Sequence, residues 1–221
     1  MKQPLGVLEA NFLKPVGLPG KVVGHLMSVQ HRSLTGWALD TIGIPPAASV
    51  LDVGCGSGMA LGMVSRRTSG RLMGVDYSDV MVAQTLRRNR AAVQATRLRA
   101  ANGTADRLPC DDNSFDVALA IETVYFWPDL AAGLREVHRV LRPGGRIGVV
   151  VEMSKESMLS PTLVQRTVGR RFIERSEASG MTILSADALC GYLNDAGFDD
   201  SRWATRPERS LGWLCAWATK P

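Results

Sequence analysis

Residues 50–58 read Val50-Leu51-Asp52-Val53-Gly54-Cys55-Gly56-Ser57-Gly58, a short apolar run that breaks into three alternating glycines. The run predicts a strand over Ser49–Val53, and the residues from Gly58 to Arg67 predict a helix that stops near Ser69-Gly70. A strand that turns through glycines into a helix lets backbone approach a ligand without Cβ obstruction. The free N–H groups at such a helix start favour a carboxylate or other anion.

Three details narrow the ligand. The spacing is G-x-G-x-G, whereas the dinucleotide fingerprint would require glycine or alanine at Met59. Asp52 sits two residues before the first glycine, where a carboxylate suits an ammonium group and disfavours a pyrophosphate. Asp76 closes the next predicted strand, where an acidic side chain can accept bonds from both ribose hydroxyls. An aminoacyl-sulfonium nucleoside presents an ammonium, a carboxylate and a ribose, so all three features find a use.

Outward from this turn the pattern alternates. Strands are predicted over Arg71–Val75, Leu98–Gly103, Phe115–Ile121 and Arg146–Val151. A helix is predicted from the cap Ser78 to about Thr96, and another from Pro128-Asp129 to Leu141, stopped by Pro143-Gly144-Gly145. This alternation implies a parallel sheet covered on both faces. The stretch 154–180 is polar and basic, with a helical middle over Thr162–Ile173. Ser185–Ala196 is a capped helix stopped by Gly197, and Phe198–Trp203 with Leu211–Ala218 form an antiparallel pair. Upstream, Lys21–Ile42 carries helical spacings that end near Gly43 and Pro45-Pro46. The expected fold is a doubly wound, Rossmann-like α/β domain, its seven-stranded sheet mostly parallel with an antiparallel terminal strand and an N-terminal helical cover. The domain spans 1–221, with 1–46 the cover, 47–152 the cofactor-binding core, 153–184 an insertion over the acceptor pocket and 185–221 the closing helix and strand pair.

Composition excludes several classes. The 221 residues hold 45% hydrophobic and 21% charged side chains, ordinary for a globular chain. No apolar run approaches the roughly 20 residues needed to span a bilayer. The opening Met1-Lys2-Gln3-Pro4-Leu5-Gly6 has no charged segment leading into an apolar core, so no signal peptide is expected and a cytoplasmic location follows. Net charge is +5, but the arginines are dispersed and the aromatics lie elsewhere, which disfavours a nucleic-acid partner and leaves an anionic small substrate open. Cys55, Cys110, Cys190 and Cys215 are too far apart for a zinc motif, so no metal is expected and reduced thiols are.

Four ordered blocks resemble the class I S-adenosylmethionine-dependent methyltransferases, especially the small-molecule group related to ubiquinone and sterol methyltransferases. They are the glycine block, Gly74-Val75-Asp76-Tyr77-Ser78, the stretch Leu108-Pro109-Cys110-Asp111-Asp112-Asn113-Ser114-Phe115-Asp116, and Arg139-Val140-Leu141-Arg142-Pro143-Gly144-Gly145. The resemblance covers about Val50–Val151. It implies that Asp52 and the backbone from Gly54 through Cys55 and Gly56 to Gly58 hold the methionine part, and that Asp76 holds the ribose. It places Tyr77 and Met81 near adenine and ribose, and has Ala120 and Ile121 line the methionine with backbone carbonyls. Gly103-Thr104-Ala105-Asp106 matches the family's adenine-edge segment, with Thr104 replacing the usual acidic residue, so adenine falls to the Ala105 N–H and Asp106.

Methyl transfer from a sulfonium is an in-line displacement with an activated leaving group, so alignment and water exclusion dominate. A base is required only where the acceptor must lose a proton. Glu122, which follows the fourth predicted strand, is the first candidate to bind a cation or take a proton. Tyr125 is the second, with Phe126 and Trp127 packing. His25 and His31, on the N-terminal cover, are candidates to face the pocket. The implied activity is methylation of a small metabolite or natural product at O, N or C, by a monomer or homodimer. The alternatives are a non-catalytic S-adenosylmethionine-binding protein or an RNA or protein methyltransferase, the latter disfavoured because Ala120-Ile121-Glu122-Thr123 is no Asn-Pro-Pro-Tyr-like segment.

Overall fold

The structure, a computed structural model, describes residues 31–178, 180–209 and 211–221. His25 and most of the expected N-terminal cover lie outside the described residues. From residue 31 onward the chain runs α1 (Arg32–Ile42), β1 (Val50–Val53), α2 (Met59–Val64), β2 (Leu72–Asp76), α3 (Asp79–Arg88), α4 (Arg90–Gln94), β3 (Leu98–Asn102) and β4 (Phe115–Ile121). It continues with α5 (Leu130–Val140), β5 (Leu141–Val151), α6 (Leu163–Ala178), α7 (Ala186–Asp195), β6 (Asp199–Arg206) and β7 (Trp213–Thr219). Short 3-10 turns fill Val124–Phe126 and Lys155–Leu159.

The seven strands form one sheet in the order β3-β2-β1-β4-β5-β7-β6. Pairs from β3 through β5 are parallel, while β7 is antiparallel to both β5 and β6. The antiparallel strand is therefore β7, inserted inside the edge, and the terminal strand in space is β6. The fold is Rossmann-like, as the alternating pattern requires. Strand order reverses between β1 and β4, and in open α/β sheets ligands bind at that switch point, outside the carboxyl ends of the strands.

Both faces of the sheet are covered, which explains why β4 is almost continuously apolar. Ala118 and Ala120 face one core with Leu134, Val137, Leu189 and Leu193 of α5 and α7. Val117 and Leu119 face the other with Leu34, Leu39 and Ile42 of α1 and Leu61 of α2. The apolar spacing Leu34, Ala38, Leu39, Ile42 puts one stripe of α1 against the sheet. Each fully buried leucine or isoleucine there contributes on the order of 2 kcal/mol. That docking brings His31, at the helix start, over the ends of β4 and β5.

Several expected elements shift for identifiable reasons. The helix predicted from Ser78 to Thr96 breaks into α3 and α4 at Asn89, which turns its amide inward to donate to the carbonyls of Gly58 (3.0 Å) and Thr85 (2.9 Å). Ser78 occupies the N-cap position of α3, yet its side chain makes no capping hydrogen bond there. Strand β5 begins at Leu141 instead of Arg146, because Leu141 pairs with Phe115 and the Pro143-Gly144-Gly145 segment is absorbed as an irregularity before Arg146. Asp129 and Ser185 do cap their helices, accepting from the amides of Ala132 (2.9 Å) and Ala188 (3.2 Å).

Candidate active site

A cleft of about 680 Å³ opens above the carboxyl ends of β1, β2 and β4. One end is walled by the glycine turn, Asp52, Asp76, Tyr77, Met81, Thr104 and Ala105. The other is walled by His31, Ile121, Glu122, Tyr125, Phe126 and Trp127, with Met181 and Thr182 from the chain after α6.

The glycine turn is built from backbone that only glycine adopts readily. Gly54 has φ +75°, and a Cβ there would meet Thr123 Oγ1 at 2.1 Å. Asp76 ties the turn to β2: its Oδ2 accepts from the Gly56 amide and its Oδ1 from the Ser78 amide, both at 2.9 Å. The two amides partly offset the rise in the Asp76 carboxyl's pKa that burial causes. Asp52 is 1% exposed, and its Oδ2 has no hydrogen-bond partner among the described residues. Burial, with Asp76 adding, pushes its carboxyl up to about 7. A buried acceptor oxygen left without a donor costs free energy that a ligand ammonium would offset. The residues present therefore fit the aminoacyl group of S-adenosylmethionine.

Not every residue assigned to the cofactor wall lies on it. Gly58 faces away: its amide donates to the Cys55 carbonyl at 2.9 Å, and a Cβ would strike Asn89 and Thr85. The Ala120 side chain is buried in the core while that of Ile121 lines the cleft, as strand alternation requires, which leaves the expected role of the Ala120 backbone carbonyl untouched. Asp106 sits in the turn that Arg107 closes by donating to the Thr104 carbonyl, outside the lining set. Cys55 lines the cleft as a buried thiol, with burial and the neighbouring Asp52 and Asp76 carboxylates holding its pKa well above the usual range.

At the far end, the residues after β4 and β5 meet. The Glu152 amide donates to Glu122 Oε1, and Glu122's own amide donates to the Val150 carbonyl at 2.9 Å. Glu122 holds φ +58°, a left-handed conformation that a side-chain-bearing residue adopts at a cost and that clusters at functional sites. His31 Nε2 lies 2.9 Å from Glu152 Oε2 and 3.8 Å from Glu122 Oε2. Burial pulls the His31 pKa down, but the Glu152 hydrogen bond and both carboxylates outweigh it, so the net shift is upward. Burial pushes Glu122 up to about 7 against the pull of His31 and the Glu152 amide.

Tyr125 lines the same end of the cleft and is held by backbone. Its hydroxyl accepts from the Met153 amide at 2.9 Å and donates toward the Met153 carbonyl at 3.1 Å, with Glu122 Oε1 at 3.4 Å. Burial holds its pKa well above the usual phenol range. It thus pins the turn after β4 to the end of β5. The sequence reading missed Glu152, whose one signal is a carboxylate directly after the apolar run of β5, matching Glu122 after β4.

Residues 51–149 match the family model described as a methyltransferase domain. The chain is 26% identical over 160 residues to the uncharacterized methyltransferase YdaC of Bacillus subtilis (strain 168), covering 72% of this chain and 85% of that protein. It is 28% identical over 175 residues to the sterol 24-C-methyltransferase erg6 of Aspergillus fumigatus, covering 78% of this chain but only 46% of that longer protein. Among solved structures it resembles a chain of the complex between the Haloferax volcanii Trm112 methyltransferase activator and a methyltransferase. The TM-score is 0.74 at 23% identity, covering 91% of this chain and 95% of that one.

Proposed function

We propose that this chain, which belongs to the class I S-adenosylmethionine-dependent methyltransferases, methylates an O, N or C nucleophile of a small metabolite or natural product. When bound, S-adenosylmethionine supplies a methyl group on a sulfonium, whose departure needs no acid. The observation that carries the reading is the buried Asp52 oxygen without a donor among the described residues, two residues before a glycine turn that Asp76 holds closed. In this reading Asp52 receives the ammonium, and the amides of the Gly54–Gly56 turn receive the carboxylate. Asp76 uses its remaining lone pairs for the ribose, and Tyr77, Met81 and Ala105 flank the nucleoside. Glu122 and His31 face the acceptor, and Tyr125 keeps Glu122 in register.

Alignment is the chain's main contribution, since holding donor and acceptor in line removes much of the barrier. The apolar wall of Phe126, Trp127 and Met181 excludes water from that line. The sterol acted on by one relative is consistent with a small acceptor. The direct test incubates purified protein with methyl-labelled S-adenosylmethionine and a metabolite extract, then identifies the product by mass. Label must pass into a small molecule, and Glu122→Gln must slow its appearance. Label found only in RNA or protein would remove this reading.

A further inference from the structure

We propose that α6 docks on an anionic lipid surface, its exposed apolar ridge entering the interface and its arginines meeting the headgroups. The inference stands apart from the methyl-transfer reading.

The helix is packed the wrong way round for water. Among its described residues only Ile173 joins the apolar core, while Gly169 rests on the turn beneath, where a Cβ would meet Ser157 Oγ at 2.9 Å. Leu163, Val164, Val168 and Phe172 are left outside, between 47% and 72% exposed. The spacing of Val164, Val168 and Phe172 is i, i+4, i+8, so they form one ridge, separate from the inward positions Gly169 and Ile173. An amphipathic helix of a globular domain turns such a ridge to the core. An apolar ridge left in solvent marks a surface that something else covers.

Charge selects what covers it. The helix carries Arg166, Arg170, Arg171 and Arg175 against Glu174 and Glu177. None of the four arginines forms an ion pair with a described residue, whereas Glu177 lies 3.5 Å from Lys155. Arg171 and Arg175 stand three positions beyond Val168 and Phe172, so cations flank the ridge. An apolar ridge edged with arginine is the composition of a helix that lies in a lipid interface, and anionic headgroups give both parts a partner. A second copy does not, because a two-fold contact would bring the arginines against a face of their own charge. Residues 1–30 do not either, since they hold Lys2, Lys14 and Lys21 against Glu9 alone. No described helix is long and apolar enough to cross a membrane, so the contact is with its surface. Met181 and Thr182, directly after α6, line the cleft, and a docked α6 therefore brings the cleft to the lipid.

The test floats the full chain with vesicles of phosphatidylcholine alone and of a two-to-one mixture with phosphatidylglycerol. The mixture must retain the protein at least about tenfold better, and high salt must reverse the gain. Val168→Asp with Phe172→Asp must abolish retention at an unchanged melting temperature. Arg171→Gln with Arg175→Gln must cut it by more than about tenfold, and this exposed pair keeps the test decisive if the aspartates unfold the chain. Equal retention on both vesicles, or retention that survives the aspartates in a folded protein, overturns the proposal. So does equal retention on immobilised poly-L-glutamate, the mark of an acidic-protein site, or a dimer in ultracentrifugation that the aspartates dissolve, the mark of a second copy. A Val168→Cys thiol that a water-soluble maleimide fails to reach without vesicles shows the chain covering its own ridge, and overturns it too. None of these outcomes bears on the methyl-transfer reading.

Discussion

The amide of Gly56 donates to Oδ2 of Asp76 at 2.9 Å, so the glycine turn after β1 is closed by the last residue of β2. Asp76 therefore shapes the site before any ligand arrives. Asp76→Ala should lower S-adenosylhomocysteine affinity by more than about tenfold, through the lost loop bond and the lost ribose acceptor together. Asp76→Asn keeps one acceptor oxygen and should lose less. Calorimetry on both variants checks the order.

Gly54 and Gly56 make a matched pair for testing the turn. Both have positive φ, but a Cβ at Gly54 meets Thr123 at 2.1 Å, while one at Gly56 meets nothing within 4 Å. Gly54→Ala should destabilise the fold by about 3 kcal/mol, combining backbone strain with a clash. Gly56→Ala should cost about 1 kcal/mol, from strain alone. Denaturant melts of the two variants read the difference directly.

Stability should fall as pH rises from about 4 to about 7. Asp52 titrates near 4 when unfolded but at about 7 when folded. In that window the folded chain retains a proton that the unfolded chain has lost, so each pH unit costs up to about 1.4 kcal/mol. Glu122, pushed up to about 7, and His31, also raised, act in the same direction. Asp52→Asn should flatten the slope and stabilise the ligand-free protein at the alkaline end, while abolishing cofactor binding. Melting temperature against pH, for wild type and variant, shows whether it does.

The Asp129 carboxylate caps α5, whose apolar stripe of Leu130, Leu134 and Val137 anchors one face of the sheet. Asp129→Ala should lower stability by about 1 kcal/mol. Activity per folded molecule should not change, because the cap lies outside the cleft.

Local chemistry made the cofactor end legible in the sequence. Asp52, the glycines and Asp76 fall within two adjacent strands, so their convergence follows from strand, turn and parallel pairing alone. The acceptor end depended on long-range docking. His31 reaches Glu152 only because α1 packs across β5, and no spacing between residues 31 and 152 encodes that contact. Glu152 was hidden for this reason, as was the bond of the Tyr125 hydroxyl to the backbone at Met153, a partner 28 positions away. Gly58 belonged to the right motif, but its amide is spent on the Cys55 carbonyl and the turn faces it into the packing.

The central claim is that Asp52 and the closed glycine turn receive an aminoacyl nucleoside. Calorimetry of S-adenosylhomocysteine against NAD, on wild type and Asp52→Ala, tests it most directly. The account predicts saturable one-to-one binding of S-adenosylhomocysteine that Asp52→Ala abolishes, with no heat from NAD. Binding of NAD in its place, or S-adenosylhomocysteine affinity untouched by Asp52→Ala, would contradict it.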